Sequence, residues 1–257
     1  MQPDAAQMPG EVLSPSQAST FLGCSAKYRF KYVLGLPDPA GGGAARGRAV
    51  HKAIEHYMRA KIAGLQLDGE AITDEWDEIW DEATENAEFA AREDVEALKA
   101  SGAQLAGKYL REAAPSIQPL AVEVPVSGEI AGVKVRGIVD ILDAEGRIID
   151  IKTASRKPSK VSGDHAFQLA TYATLLADSV SGETRIDSLV ATKDPQLIQI
   201  GHTPGAGGRK LVERMYPLVA EGIAGGLYLP NRSSSVCSRR YCSFADACEL
   251  EFGGVVE

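Results

Sequence analysis

Two tetrapeptides, Gly137-Ile138-Val139-Asp140 and Ile149-Asp150-Ile151-Lys152, decide how this 257-residue sequence is read. Around them the apolar period drops to 2. Leu120–Val126, Val133–Asp143 and Arg147–Thr153 read as three strands with short glycine-containing turns, an antiparallel meander. Residues two apart on a strand leave the same face, so Asp150 and Lys152 stand together while Ile149 and Ile151 point to an apolar face. On the middle strand Val133, Val135, Val139 and Ile141 face one way, and Arg136, Ile138, Asp140 and Leu142 the other. Hairpin pairing then brings Asp140 beside Asp150. Two close carboxylates repel unless a cation lies between them, and hard oxygen ligands favour Mg²⁺ or Mn²⁺. Such an ion polarises a phosphoryl oxygen and acidifies bound water. Lys152 is placed to orient or deprotonate that water and to offset charge growing on a phosphate. The competing reading is a surface ion pair, Asp150 with Lys152, which so short a pattern does not exclude.

Further out, Arg46-Gly47-x-x-x-His51 opens a helix expected over 45–63, and His51 offers one nitrogen ligand or is a bystander. A helix expected over 164–178 carries Gln168 and Tyr172 four apart on one face. Their amide and hydroxyl suit a phosphate or a DNA backbone, or else ordinary packing with a polar tip. Ser14-Pro15-Ser16 starts a first helix running to about Leu34, and 35–43 is a Gly/Pro linker. Ile72, Trp76, Ile79, Trp80 and Ala83 have the spacing of an amphipathic, acidic helix, and a further helical stretch ends near Ala113, before Pro115 and Pro119. After the meander come strands over 186–192 and 197–202 and a helix over 208–224; the tail from Leu229 to Cys248 is irregular and cysteine-rich. This order is that of an α+β chain.

In this order and at these separations, G-R-A-V-H, G-I-V-D, D-I-K and Q-L-A-T-Y resemble the RecB-like, Cas4-like branch of the PD-(D/E)xK nuclease superfamily. The opening L-S-P-S-Q…F-L-G-C-S-A-K-Y-R-F-K-Y-V-L-G-L resembles that branch's N-terminal segment. The resemblance covers Leu13 to Cys248, and only 68–112 brings no motif with it. It implies a restriction-endonuclease-like core: a central mixed sheet flanked by helices, with an N-terminal helical region and a C-terminal cysteine cluster. It also implies that His51, Asp140, Asp150 and the backbone carbonyl of Ile151 hold Mg²⁺ or Mn²⁺. Lys152 becomes the catalytic lysine, and Gln168 and Tyr172 complete the catalytic set with Asp140 and Asp150. Glu123, on the first strand, at most supports these ligands from behind. The lead carboxylate of the D-x-K pair is Asp here, where many relatives have Glu.

Cys24 stands alone near the N-terminus, while Cys237, Cys242 and Cys248 form a C-x4-C-x5-C group. With no secretory signal in MQPDAAQMPGEV, metal ligation is a better reading than disulfides. A 3+1 set with long gaps suits an iron-sulfur cube at least as well as zinc. The resemblance favours a [4Fe-4S] cluster on Cys24, Cys237, Cys242 and Cys248, with zinc as the lesser alternative. Its role would be structural, joining the first helix to the tail.

The net charge of -8 argues at first against a nucleic-acid partner. It is unevenly spread, however. Residues 68–96 hold 13 acidic residues and one basic residue, and the other 228 residues sum to +4. DNA contacts are expected from Lys27, Tyr28 and Lys31, where aromatic and basic residues interleave, and from Arg156, Lys157 and Lys160. The acidic helix 68–96 is a candidate protein-partner surface, or a gate that repels DNA from one side. No apolar run spans a membrane, and GAGGRK at 205–210 lacks the phosphate-loop pattern, so no ATP use is expected. The expected organisation is a flexible tail, 1–13, and one nuclease domain, 14–257. That domain comprises N-terminal helices (14–67), acidic insert (68–114), core (115–228) and cluster tail (229–257). The expected activity is metal-dependent hydrolysis of DNA, single-stranded or with free ends, by an exonuclease of recombination, repair or replication. The expected setting is the cytoplasm, the gene being bacterial or phage-encoded. The alternatives are an endonuclease, a nuclease of CRISPR adaptation, a non-enzymatic DNA-end-binding module and a zinc-bound structural protein.

Overall fold

The computed structural model describes residues 10–65, 75–177, 179–234 and 236–257. Most of the tail 1–13 and the start of the acidic helix, Ile72 included, lie outside them. The described end of that tail is not free chain: β1 (Val12–Leu13) pairs in parallel with β3 (Val133–Asp143) at Val12↔Lys134 and Leu13↔Val135. Leu13 is fully buried, which is what draws this short strand in.

Ser14 caps α1 (Pro15–Gly23) through a capping box, its hydroxyl accepting from Gln17 N–H and the Gln17 side chain accepting from Ser14 N–H. The single helix expected to Leu34 is interrupted at Cys24, whose backbone is extended. Beyond it lie α2 (Ser25–Tyr28) and a π-helical turn (Arg29–Val33). The break is tertiary in origin. The Leu229 carbonyl accepts Ala26 N–H, and Leu229 N–H donates to the Ser25 hydroxyl. Helices α3 (Gly42–Ile62), α4 (Trp76–Thr84) and α5 (Val95–Glu112) follow. Next come β2 (Pro119–Ile130), β3, β4 (Ile148–Ala154), α6 (Gly163–Leu175), β5 (Thr184–Val190) and β6 (Gln196–His202). The chain ends with α7 (Gly205–Ala224), which begins at the glycine-rich GAGGRK, and α8 (Ala245–Phe252).

The described chain clusters into two compact units, each assembled from separated segments. The smaller takes the chain up to residue 38, 127–137 and 206 onward; the larger takes 39–126 and 138–205. In the larger unit β3 and β4 are antiparallel, β4 and β5 parallel, and β5 and β6 antiparallel, while β2 pairs with β3. The sheet is therefore mixed, and α6 is the crossover that a parallel β4–β5 pair requires.

Both faces of this sheet are covered. Ile149 and Ile151 of β4 pack with Ile141, Leu189 and residues of α3, α4 and α5, including Ile54, Trp80, Leu105 and Tyr109. Ile148 and Ile186 pack with Leu169 and Tyr172 of α6. The acidic segment is thus no appendage. Trp76, Ile79, Trp80 and Ala83 face the core, while Glu82, Glu75 and Asp77 pair with Lys52, His56 and Lys99 on the neighbouring helices. In the smaller unit, Ala26, Phe30, Phe244 and Cys248 form a separate core.

Candidate functional site

The β3–β4 pairing is registered at Leu142↔Ile148 and Ile141↔Ile149. Beyond it the Asp140 side chain enters the strand pair: its Oδ2 accepts the backbone N–H of Ile151 at 2.7 Å. The regular alternation expected along β3 breaks here, with Val139 and Leu142 in one core cluster and Ile141 in the other. Asp150 and Lys152 do share a face of β4. Asp150 is 1% exposed, its Oδ2 lies 2.7 Å from Lys152 Nζ, and its Oδ1 is buried without a hydrogen-bond partner. Burial raises the pKa of both Asp140 and Asp150, although the Lys152 charge opposes it in each; the Asp140 charge adds to the rise at Asp150. An aspartate with a buried, unsatisfied oxygen is a costly group unless a cation is supplied.

Helix α3 delivers His51 to the same place. Gly47, one turn earlier, makes a close approach to β4: a Cβ there would lie 3.0 Å from Thr153 Oγ1. His51 Nδ1 lies 3.6 Å from Asp140 Oδ2. Burial, reinforced by the Lys152 charge, pushes the imidazole pKa down to about 4, so the ring is neutral and able to ligate at physiological pH. Glu123 completes a group whose ligand atoms, with those of His51 and Asp140, all lie within 4.8 Å of one another. Ligands about 2.1 Å from Mg²⁺ sit about 3 to 4 Å apart, so this spacing suits a small divalent cation. Glu123 has φ 48°, a left-handed backbone inside a strand that turns its side chain out of the regular alternation. Burial, then the charges of Asp140 and Glu55, pushes its carboxyl up to about 7. Glu123 is therefore closer to the centre than the sequence suggests.

Gln168 and Tyr172 meet as their spacing requires, Gln168 Nε2 donating to the Tyr172 hydroxyl at 3.1 Å. Tyr172 is 4% exposed and packs in the α6 core; its hydroxyl is raised in pKa mainly by burial, with the Asp150 and Asp140 charges adding to the rise. It holds Gln168 from within the core. His165, which the sequence reading passed over, lies one turn before Gln168, and the charges of Lys152 and Asp150 both act on it. Its spacing of three from Gln168, which puts the two on one helix face, is the signal in the sequence that marks it. Arg156, Lys157 and Lys160 are exposed on the loop between β4 and α6.

Of the contacts expected near the first helix, Tyr28 is a correction. Its side chain is fully buried, with its ring against Phe21 and Tyr32, so no base can stack on it. Lys31 is paired with Asp38 at 2.7 Å, and Lys27 lines the cavity formed by the cysteines.

That cavity is lined by Cys24, Cys237, Cys242 and Cys248, with Phe30, Val236, Phe244 and Val256 closing it off. All four cysteines are free thiols. Burial raises the Cys248 thiol, Arg232 acts to lower it, and the other three cysteines act on it in turn. Among the described residues, no helix is long and apolar enough to cross a membrane.

The sequence profile of the PD-(D/E)XK nuclease superfamily matches residues 12–249. Among solved structures, the chain is similar to one named "Putative exonuclease" from Eubacterium rectale. The identity is 15%, with 98% of this chain and 94% of that one covered, at a TM-score of 0.61. A second structure, of SSO0001, matches at 13% identity over 89% of this chain and 95% of that one, with a TM-score of 0.41. No curated protein matches the chain.

Proposed function

The chain belongs to the PD-(D/E)XK nuclease superfamily, and we propose that it is a Mg²⁺- or Mn²⁺-dependent exonuclease acting on DNA, preferably at single-stranded ends. The observation that carries the reading is the convergence of His51, Glu123 and Asp140 next to the buried Asp150–Lys152 pair. A bound divalent ion would polarise the scissile phosphate and acidify the attacking water. His51, Glu123, Asp140 and Asp150 would hold it, joined by the Ile151 carbonyl. Lys152, beside Asp150, would position or deprotonate the water and offset the charge that grows on the phosphate. Gln168, braced by Tyr172, would fix the phosphate's orientation. Arg156, Lys157 and Lys160 would take the flanking phosphates, whose contacts position the strand without reading its sequence.

Cys24, Cys237, Cys242 and Cys248, which line one cavity, would hold a [4Fe-4S] cluster, with zinc as the lesser alternative. The cluster would tie Cys24 to the tail as a structural staple, in keeping with a RecB-like, Cas4-like enzyme of bacterial or phage DNA recombination, repair or replication. The test of mode is a comparison of end-labelled linear DNA, single- and double-stranded, with covalently closed circles. Mononucleotide release from linear substrates with circles intact supports exonuclease action; nicking of the circles overturns it.

A further inference from the structure

Cys24 is the cysteine that reaches the cavity from the opposite end of the chain, and residues 229–231 of the tail hold the backbone on either side of it. Asn231 Nδ2 donates to the Gly23 carbonyl at 2.9 Å. Past the cysteine, Leu229 N–H donates to the Ser25 hydroxyl at 2.8 Å, and the Leu229 carbonyl accepts Ala26 N–H at 3.2 Å. Between these contacts the main-chain N–H of Asn231 donates to Cys24 Sγ at 3.4 Å. Ser233 N–H in turn donates to Asn231 Oδ1 at 3.2 Å, so the Asn231 amide is oriented at both its ends. Asn231 also lines the cavity alongside the four cysteines. Cys24 itself is extended, at the break between α1 and α2, so these contacts rather than a continuous helix set where its sulfur points.

The Leu229 carbonyl lies 3.9 Å from the same sulfur, at the limit for a thiol donor. A thiolate has no proton to give that carbonyl and keeps the Asn231 bond. A neutral sulfur is a weak acceptor. A metal-bound thiolate carries negative charge, and an N–H aimed at it makes a charge-assisted bond, roughly twice as strong as a neutral one. Hydrogen bonds to the sulfurs and net charge set the potential of an iron-sulfur centre. Reduction adds negative charge, so such a bond favours the reduced state.

We propose that Asn231 is the positioning residue of the Cys24 ligand. Its main-chain N–H bonds the thiolate sulfur, and its side chain, anchored on Gly23, keeps that N–H in place. This rests on the four-thiolate cluster proposed above. Asn231 thereby holds the distant cysteine in the cavity and tunes the centre toward its reduced form.

The experiment uses the full chain purified without oxygen, as wild type, Asn231→Pro, Asn231→Ala and Ser233→Ala. Asn231→Pro removes the N–H, whereas Asn231→Ala keeps it and removes the anchor. Iron content is measured, the visible band is titrated against potential, and its loss to an iron chelator is timed. Asn231→Pro should move the midpoint to a more negative value and lose iron several-fold faster. Asn231→Ala should change both in the same direction by less, and Ser233→Ala should match wild type. The sequence has two asparagines, Asn86 and Asn231, so labelling asparagine alone with ¹⁵N gives a direct readout. Pulsed electron paramagnetic resonance of the reduced wild type should show a ¹⁵N coupling that is lost in Asn231→Ala. That coupling decides the matter if Asn231→Pro assembles no cluster. An iron-loaded wild type without it, or wild-type potential and iron loss in both Asn231 variants, overturns the assignment and leaves the cluster standing. An iron-free wild type overturns the cluster, and the assignment with it.

Discussion

The carboxylate of Asp140 accepts the backbone N–H of Ile151 at 2.7 Å, so one strand's acidic side chain is stitched to the backbone of the D-x-K strand. The bond fixes the carboxylate beside the residues that would share a cation with it. It also gives Asp140 a structural duty separable from ligation. Asp140→Asn keeps an acceptor oxygen and should fold with near wild-type stability while losing metal-dependent activity. Asp140→Ala should lose activity and also about 1 to 3 kcal/mol of stability, because the Ile151 N–H is left buried and unpaired. Denaturant unfolding of the two variants without metal separates these effects.

Glu123 predicts a pH dependence. Its folded pKa, pushed up to about 7, lies above its ordinary value of 4.5. The folded chain thus holds this proton more tightly than the unfolded chain does. The stabilisation is complete below pH 4.5 and is lost as pH rises through about 7. Asp140 and Asp150 shift in the same direction. The metal-free protein should melt at lower temperature at pH 8 than at pH 5.5, and Glu123→Gln should flatten that slope, gaining on the order of 1 kcal/mol at pH 8. Metal binding should run the other way, weakening by up to about tenfold per pH unit below 7 as the proton competes. Calorimetry with Mg²⁺ and with Mn²⁺ across this range is the check; metal affinity independent of pH contradicts Glu123 as a ligand.

The acidic segment's place in the core is tested at Gly102. A Cβ there would lie 2.7 Å from Trp76 Cζ2 and 3.2 Å from Arg46 Cγ. Gly102→Ala should therefore cost about 1 to 3 kcal/mol by overpacking, despite adding a better helix former. Combining it with Trp76→Leu should recover part of that loss. Additive losses in the double variant contradict the contact.

Much of the fold was legible because the signals are local. A period of 2 marks β2, β3 and β4, and Ser14 with Gln17 marks a helix start. The D-x-K spacing correctly places Asp150 and Lys152 on one face. What was not legible depends on distant chain. Alternation shows that β4 and β5 are strands but not that they run parallel to each other. The first helix breaks at Cys24 where Leu229, some 200 residues later, takes over hydrogen bonding at Ser25 and Ala26. Tyr28 alternates with basic residues as a stacking residue would, yet packs inward. The nearness of Glu123 to His51 and Asp140 is not legible in the sequence, because regular strand geometry says nothing of a residue with φ 48°.

The cluster reading is open to a simple removal. Cys24→Ser should abolish the visible band and lower iron to background, since three tail cysteines alone leave one iron without its thiolate. The same variant should loosen the contact of Ser25 and Ala26 with Leu229, seen as faster amide exchange at Ala26. Full iron content in Cys24→Ser contradicts the 3+1 assignment.

Hydrolysis of end-labelled DNA by the wild type and by Lys152→Ala, with Mg²⁺, with Mn²⁺ and with chelator, tests the central claim most directly. The account predicts metal-dependent degradation by the wild type, none with chelator, and a loss of at least about a thousandfold in Lys152→Ala with unchanged thermal unfolding. Undiminished cleavage by Lys152→Ala, or cleavage that persists in chelator, would contradict it.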